Sequence, residues 1–188
     1  MKRTLTWLLS LFLLCTSCRS QQKRNAEKAE RPERAEKAER AEDSTSRKAV
    51  GGFGAHLILA DRPQAFVQEW RNPPSGKPQL WFATEAKRGE PLAAFIIFAG
   101  CLPDSGGICN AEVDFRIYKP DGSLYAERAG LELWKKAAPP ATNTQLSTAN
   151  MVIRLQPNDP AGEYKVKASL RDLNRDVSFE IEEKFKVQ

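Results

Sequence analysis

From residue 54 onward, apolar residues recur mostly at every second position, the spacing of strands with one buried face. Residues 111–118 are the clearest case. Val113, Phe115 and Ile117 fall on one side, Asp114 and Arg116 on the other. Within 163–172 the apolar face is Tyr164, Val166, Ala168 and Leu170. The last run places Val177, Phe179 and Ile181, then Phe185 and Val187, on one face. Glu183 falls on that same face, which predicts a bulge or short break there. Residues 92–100 are almost wholly apolar, which predicts a central strand buried on both sides. Shorter runs predict strands over 54–60, 79–84, 123–127, 131–134 and 149–155, with Trp81 assigned to the core. One helix is expected over 63–70, where Pro63 suits a first helical position and Phe66, Val67 and Trp70 share a face.

Turn formers separate these runs. "NPPSGKP", "RGEP", "KPDG" and "QPNDPAG" each combine preset proline geometry with Gly, Asn or Asp. "KPDG" between two alternating runs predicts a hairpin, and Gly51, Gly52 and Gly54 predict a flexible lead-in. Seven to nine short strands divided by turns make the domain all-β, a two-layer sandwich.

The stretches "YKPDGSLY" and "NDPAGEYKVKASLRD" and the alternating final strand resemble immunoglobulin-like modules of the macroglobulin, bacterial Ig-like or fibronectin type. The turn that introduces a late strand in such modules is matched by Asp159, Pro160, Gly162 and Tyr164. The domain also resembles small secreted proteobacterial proteins of unknown function with a cysteine pair between two central strands. The resemblance implies an immunoglobulin-like β-sandwich in the cell envelope, and no activity. The disulfide and tryptophan pattern of antibody domains is absent, because Cys101 and Cys109 are too close in sequence.

The N-terminal residues follow other patterns. Residues 1–18 carry Lys2 and Arg3, an apolar run from Leu5 to Leu14, and then small residues, the order of a signal peptide. "LLCTSC" resembles a lipobox ending at Cys18, the expected lipidation site, although Cys15 departs from the usual aliphatic residue. Acylation would hold the chain at a membrane through buried methylenes. Ordinary cleavage nearby, releasing a soluble protein, is the alternative. Residues 19–48 contain the triplets AEK AER PER AEK AER AED. Glu27, Glu30, Glu33 and Glu36 each stand four residues before a basic partner, the favourable helical order. With no bulky apolar face, this segment is a charged spacer, semi-rigid or disordered. The expected division is therefore signal peptide 1–18, spacer 19–48 and sandwich 49–188.

Charge narrows the partners. The whole chain carries +5. Residues 19–48 hold ten basic and seven acidic side chains, whereas 49–188 hold seventeen of each. The domain itself is neutral, so a nucleic-acid-binding role is not expected.

Candidate chemistry is sparse. His56 is the only histidine and shares a strand face with Ile58 and Ala60, so a strand histidine explains it better than a triad member. A zinc site would need four ligands, and Cys101, Cys109 and His56 make three. Asp104, Glu112 and Asp114 lie near the cysteine loop, and Asp121, Asp159, Asp172 and Asp176 at turns, without the spacing of a calcium loop. No cofactor is implied. Cys101 and Cys109 enclose "LPDSGGI" and are expected to form a disulfide bracketing the connection between two strands, in a compartment that permits it. The bracket would present Asp104 and Ser105 on a rigid tip. Trp70 and Trp134 flank loops and join them as candidate binding residues, since aromatic side chains are enriched in recognition surfaces. Two classes remain. One is a noncatalytic envelope module, binding or structural, periplasmic or lipid-anchored, that would take protein, peptidoglycan, glycan or a small hydrophobic molecule at open sheet edges or end loops. The other is a secreted enzyme or enzyme inhibitor on the same scaffold.

Overall fold

The computed structural model describes residues 45–73, 80–140 and 143–188. The signal segment, Cys18 and the spacer up to residue 44 lie outside the described residues. In chain order the described elements are β1 (Arg47–Val50), β2 (Phe53–Ala60), α1 (Pro63–Arg71), β3 (Glu85–Ala86), β4 (Pro91–Ala99), β5 (Ala111–Tyr118), β6 (Leu124–Trp134), β7 (Gln145–Leu146), β8 (Met151–Arg154), β9 (Gly162–Asp172) and β10 (Val177–Val187).

The strands form two five-stranded sheets. The first runs β1-β2-β4, and β7 and β8 both pair with β4; the second runs β3-β10-β9-β5-β6. All pairs are antiparallel except β3 with β10. This is an immunoglobulin-like β-sandwich. Alternation puts Leu57, Leu59, Ile96 and Phe98 of the first sheet against Val113, Phe115, Val166 and Ile181 of the second in one buried core. Tyr164 sits in that core with its ring stacked on Phe185 at 5.3 Å, and its hydroxyl donates to the Pro160 carbonyl at 3.0 Å. Such a tyrosine corner is a hallmark of the fold. It gives the "DPAGEY" turn its structural role.

β4 is buried on both sides from Leu92 to Ile96, as its composition predicts, whereas Ile97 and Ala99 stay partly exposed on the outer face. Ala93 and Phe95 face away from the main core and pack with Ile58, Ala60 and Phe66 in a second apolar cluster. Phe66 of α1 stacks on Phe95 at 4.7 Å, so the helix covers one half of the first sheet's outer face. Pro63 stands at the start of α1 as expected.

Several expectations are corrected. The strand over 79–84 does not form: residues 80–84 make single hydrogen bonds, Ala83 N to Leu59 O and Lys186 N to Thr84 O, and so cross from one sheet to the other. Trp81 is 39 % exposed beneath the Arg62 guanidinium rather than in the core. The short strands at 123–127 and 131–134 are parts of the single strand β6, which absorbs register shifts against β5. No bulge accompanies Glu183, because β9 and β10 pair without a slip from Val177↔Asp172 to Val187↔Gly162. β3 covers only Lys186 and Val187, so Glu183 lies along a sheet edge and stays partly exposed. Gly51 and Gly52 are a tight turn rather than a flexible lead-in. Both have positive φ, 58° and 88°, and they join Val50 directly to Phe53 in a two-residue hairpin. β1 thus begins at Arg47, on the spacer side of the boundary expected at 49.

Cys101 and Cys109 form a disulfide. It closes the connection between β4 and β5, and both cysteines belong to the main core. Replacing both with alanine should lower the unfolding free energy by about 2–3 kcal/mol, since an eight-residue loop restricts the unfolded chain only modestly. Urea unfolding of the oxidised protein and the double variant reads this difference.

Candidate functional site

The two outer faces of the sandwich differ in kind. On the second sheet, outward side chains of adjacent strands pair by charge. Arg116 meets Glu127 at 2.7 Å, Lys165 meets Glu182 at 3.3 Å, and Lys135 meets Glu112 at 2.8 Å. Asp114, expected to face solvent, is only 8 % exposed. Arg171 lies against it with Nη1 2.6 Å from Oδ2, and Gly130 N donates to Oδ1 at 2.7 Å. The Arg171 hydrogen bond, opposed by burial and reinforced by the Gly130 amide, holds the Asp114 carboxyl below its ordinary 3.8. A carboxyl lowered in the folded state adds stability that is fully present above 3.8 and is lost as pH falls through the folded value. Asp114→Asn should therefore flatten the decline in melting temperature between about pH 5 and pH 2. Thermal unfolding of both proteins across that range measures the change.

On the first sheet, the half of the outer face not covered by α1 is a trough of about 590 Å³. Its shape follows from strand register. Ala49 lies opposite Gly54, and Gly54 opposite Ala99, so three adjacent strands present their smallest side chains side by side. The next row is Arg47, His56 and Ile97, again in register. Small residues make the floor and large ones the wall. Thr144 completes the rim, and among the described residues no acidic side chain lines the trough. The exposed Phe82 ring stands 6.2 Å from the His56 ring and extends the wall.

Arg47 Nη2 lies 3.3 Å from His56 Nδ1. Because a guanidinium can only donate, Nδ1 is the acceptor and the neutral ring carries its proton on Nε2. Burial first, and the Arg47 charge second, lower the His56 pKa below 6.5. The polar partner given to the imidazole is a cation, not a carboxylate, so it is not oriented as in a nucleophile–histidine–acid triad. Among the described residues no group of three or more His, Cys, Asp or Glu stands close enough to hold a metal ion. A second hollow, about 350 Å³, lies by Glu85, Glu90 and Arg88. Arg88 is committed there to the Asp159 and Gln188 carbonyls.

The four residues that the sequence singles out do not form one site. Asp104 and Ser105 stand exposed at the tip of the bracketed loop. Asp104 Oδ1 accepts from Gly106 N at 2.8 Å and Ile108 N at 2.9 Å, so its carboxylate folds the loop on itself. Trp134 is on the adjoining segment. Its ring packs on Phe98 at 5.6 Å, its indole N–H donates to Ala137 O, and Lys136 lies 5.0 Å above it. Trp70 is on α1, on the outer side of the first sheet. The turn carboxylates serve local structure. Asp121 caps Ser123, and Asp159 accepts from Gln156 N and the Tyr125 hydroxyl. Burial, aided by that hydrogen bond, pushes Tyr125 up to about 12. Sequence reasoning misses the trough residues apart from His56, to which it gives a bland role. The signal that could find them is Gly51–Gly52 between "RKAV" and "FGAH", a two-residue hairpin pattern that makes 47–50 a strand.

No known protein family and no curated protein matches this sequence. Solved structures do. A Niemann-Pick type C2 protein from the Japanese carpenter ant is 10 % identical, with 70 % of this chain and 89 % of that one covered and a TM-score of 0.40. A CARDB domain from Pyrococcus furiosus is 12 % identical over 78 % and 97 %, with a TM-score of 0.33. A family 123 glycoside hydrolase from Clostridium perfringens is 11 % identical over 71 % of this chain, at a TM-score of 0.36; the match spans only 27 % of the hydrolase. The sandwich assignment rests on the strand pairing itself.

Proposed function

We propose that this chain is a noncatalytic binding module of the bacterial cell envelope, and that the outer face of its first sheet is the recognition surface. The observation that carries this reading is the open trough. It has an apolar floor and polar groups confined to one wall and the rim, the arrangement of a binding cleft. An enzyme would bring acid, base or nucleophile together over such a floor. Here the wall offers a neutral imidazole beside a guanidinium. The leader-like residues 1–18 and the bracketed cysteine loop fit the secreted proteobacterial proteins that the sequence resembles. Cys18 is the proposed point of lipid attachment, with the charged triplets as the spacer between membrane and domain. The occupant is an envelope protein segment, a glycan or another small envelope component.

The test is recovery of bound material. The chain is purified from its own envelope fraction, alongside Ala99→Leu, whose larger side chain fills the trough floor. The expected result is a compound carried by the native chain, absent from the variant and chemically unchanged on prolonged incubation. A compound carried equally by both proteins, or one converted to a product, would overturn the reading. Attachment is tested separately: Cys18→Ser should move the protein from the membrane to the soluble fraction, and unchanged fractionation would reject lipidation.

A further inference from the structure

We infer that the trough takes a small amphiphilic anion, an apolar body carrying one carboxylate or phosphate group. This deepens the binding reading above and rests on it. The floor of Ala49, Gly54 and Ala99 exposes only methyl groups and backbone, and Ile97 adds apolar surface to the wall. Such a surface gains from covering an apolar body and has no side chain to bond a polyhydroxylated one. At one end of this floor stands Arg47, in register with His56 on the outward face. Among the described residues, the ion pairs of the domain lie mainly on the second sheet and around the turns, and Arg47 takes part in none.

Charge complementarity therefore sets the sign of the ligand. Among the described residues, the trough wall and rim carry a guanidinium, a histidine, a threonine hydroxyl and no carboxylate. The guanidinium of Arg47 spends one N–H on His56 Nδ1 and keeps the rest of its fork for a planar or tetrahedral oxyanion. His56 contributes an Nε2–H donor on the same row, and the exposed Phe82 ring offers an apolar flank. A ligand cation would meet the guanidinium without any compensating group, so the same geometry selects against it. An anion next to His56 also offsets the burial and the Arg47 charge that disfavour protonation, so the imidazole should become easier to protonate in the complex.

The experiment uses the full exported chain and four probes of equal tail length, each below its aggregation concentration: decanoate, decyl phosphate, decanol and decyltrimethylammonium. Calorimetry at pH 7 should show decanoate or decyl phosphate binding at least about tenfold more tightly than the alcohol and the cation. The tighter of the two anions assigns the head group. Arg47→Gln should weaken the anions about tenfold and leave decanol unchanged. Ala99→Leu should abolish all binding. Both variants should keep the native melting temperature, because both positions face outward. The proton resonances of His56 should move toward the protonated form when the anion is added. Equal binding of the four probes, preference for the cation, or full anion affinity in Arg47→Gln would overturn the inference. If the compound recovered from the envelope depends on the trough but is neutral, the module reading stands and the anionic class falls.

Discussion

Gly100→Ala should lower the unfolding free energy by about 3–4 kcal/mol, a large share of what holds a domain of this size together. Gly100 follows β4 and has φ of +77°. A left-handed conformation alone costs an L-residue about 1–2 kcal/mol. Steric contact adds more. A Cβ at this position would lie 2.0 Å from the Gly52 carbonyl oxygen, a backbone atom that cannot rotate away. Gly52 belongs to the β1–β2 turn, so relief requires moving either that hairpin or the end of β4. Shifts of this kind cost about 1–3 kcal/mol. Gly107 is the control: its φ is +81°, but nothing lies within 4 Å of an added Cβ. Gly107→Ala should cost only the conformational part, about 1–2 kcal/mol. Chemical unfolding of the two variants separates conformational strain from steric contact, and equal losses would show that contact with the hairpin does not matter.

Asp172→Ala should cost about 3–4 kcal/mol by a different route. Asp172 ends β9 and is 0 % exposed. Its Oδ2 accepts from Leu102 N at 2.8 Å and lies 3.5 Å from Arg175 Nε. Arg175 in turn donates to the carbonyls of Gly51 and Gly100. One carboxylate thus organises the β1–β2 turn, the end of β4, the start of the cysteine loop and the β9–β10 turn. Its removal leaves a backbone N–H without an acceptor and a part-buried guanidinium without a counter-charge. Asp172→Asn keeps an acceptor oxygen and should cost less than half as much. Adding Arg175→Ala to Asp172→Ala should cost less than the sum of the single changes, because they share partners. Strict additivity would contradict a common network.

These two sites show what a sequence can and cannot reveal. The faces of β5, β9 and β10 are legible because a strand's period of two writes its burial directly into the residue order. The cysteine bracket and the helix start at Pro63 are legible for equally local reasons. In the sequence Asp172 is one turn carboxylate among several, since its burial depends on four segments meeting over it. Trp81 and Phe82 resemble part of a strand because a short apolar run does not announce whether a ladder partner exists. Phe82 is instead 58 % exposed. Arg47 and Lys48 continue the basic composition of the spacer, which hides the first strand. Only half of the trough has a local signature. Ala49 and Gly54 face each other across the Gly51–Gly52 hairpin, whereas Ala99 is far away in sequence and joins them only through register. Asp104 and Trp134 suggest recognition by residue type alone. Asp104 Oδ1 braces the loop, and the Trp134 ring packs on Phe98 while its indole N–H donates to Ala137 O.

The most direct test of the central claim, that the uncovered half of the first sheet is the recognition surface, is backbone and side-chain NMR of the labelled chain titrated with bacterial envelope extract. Resonances of Ala49, Gly54, His56, Ile97 and Ala99 should shift together and saturate, while those of Arg116, Lys167 and Glu180 on the second sheet stay in place. Shifts confined to Asp104, Ser105 and Trp134, or to the second sheet, would contradict it.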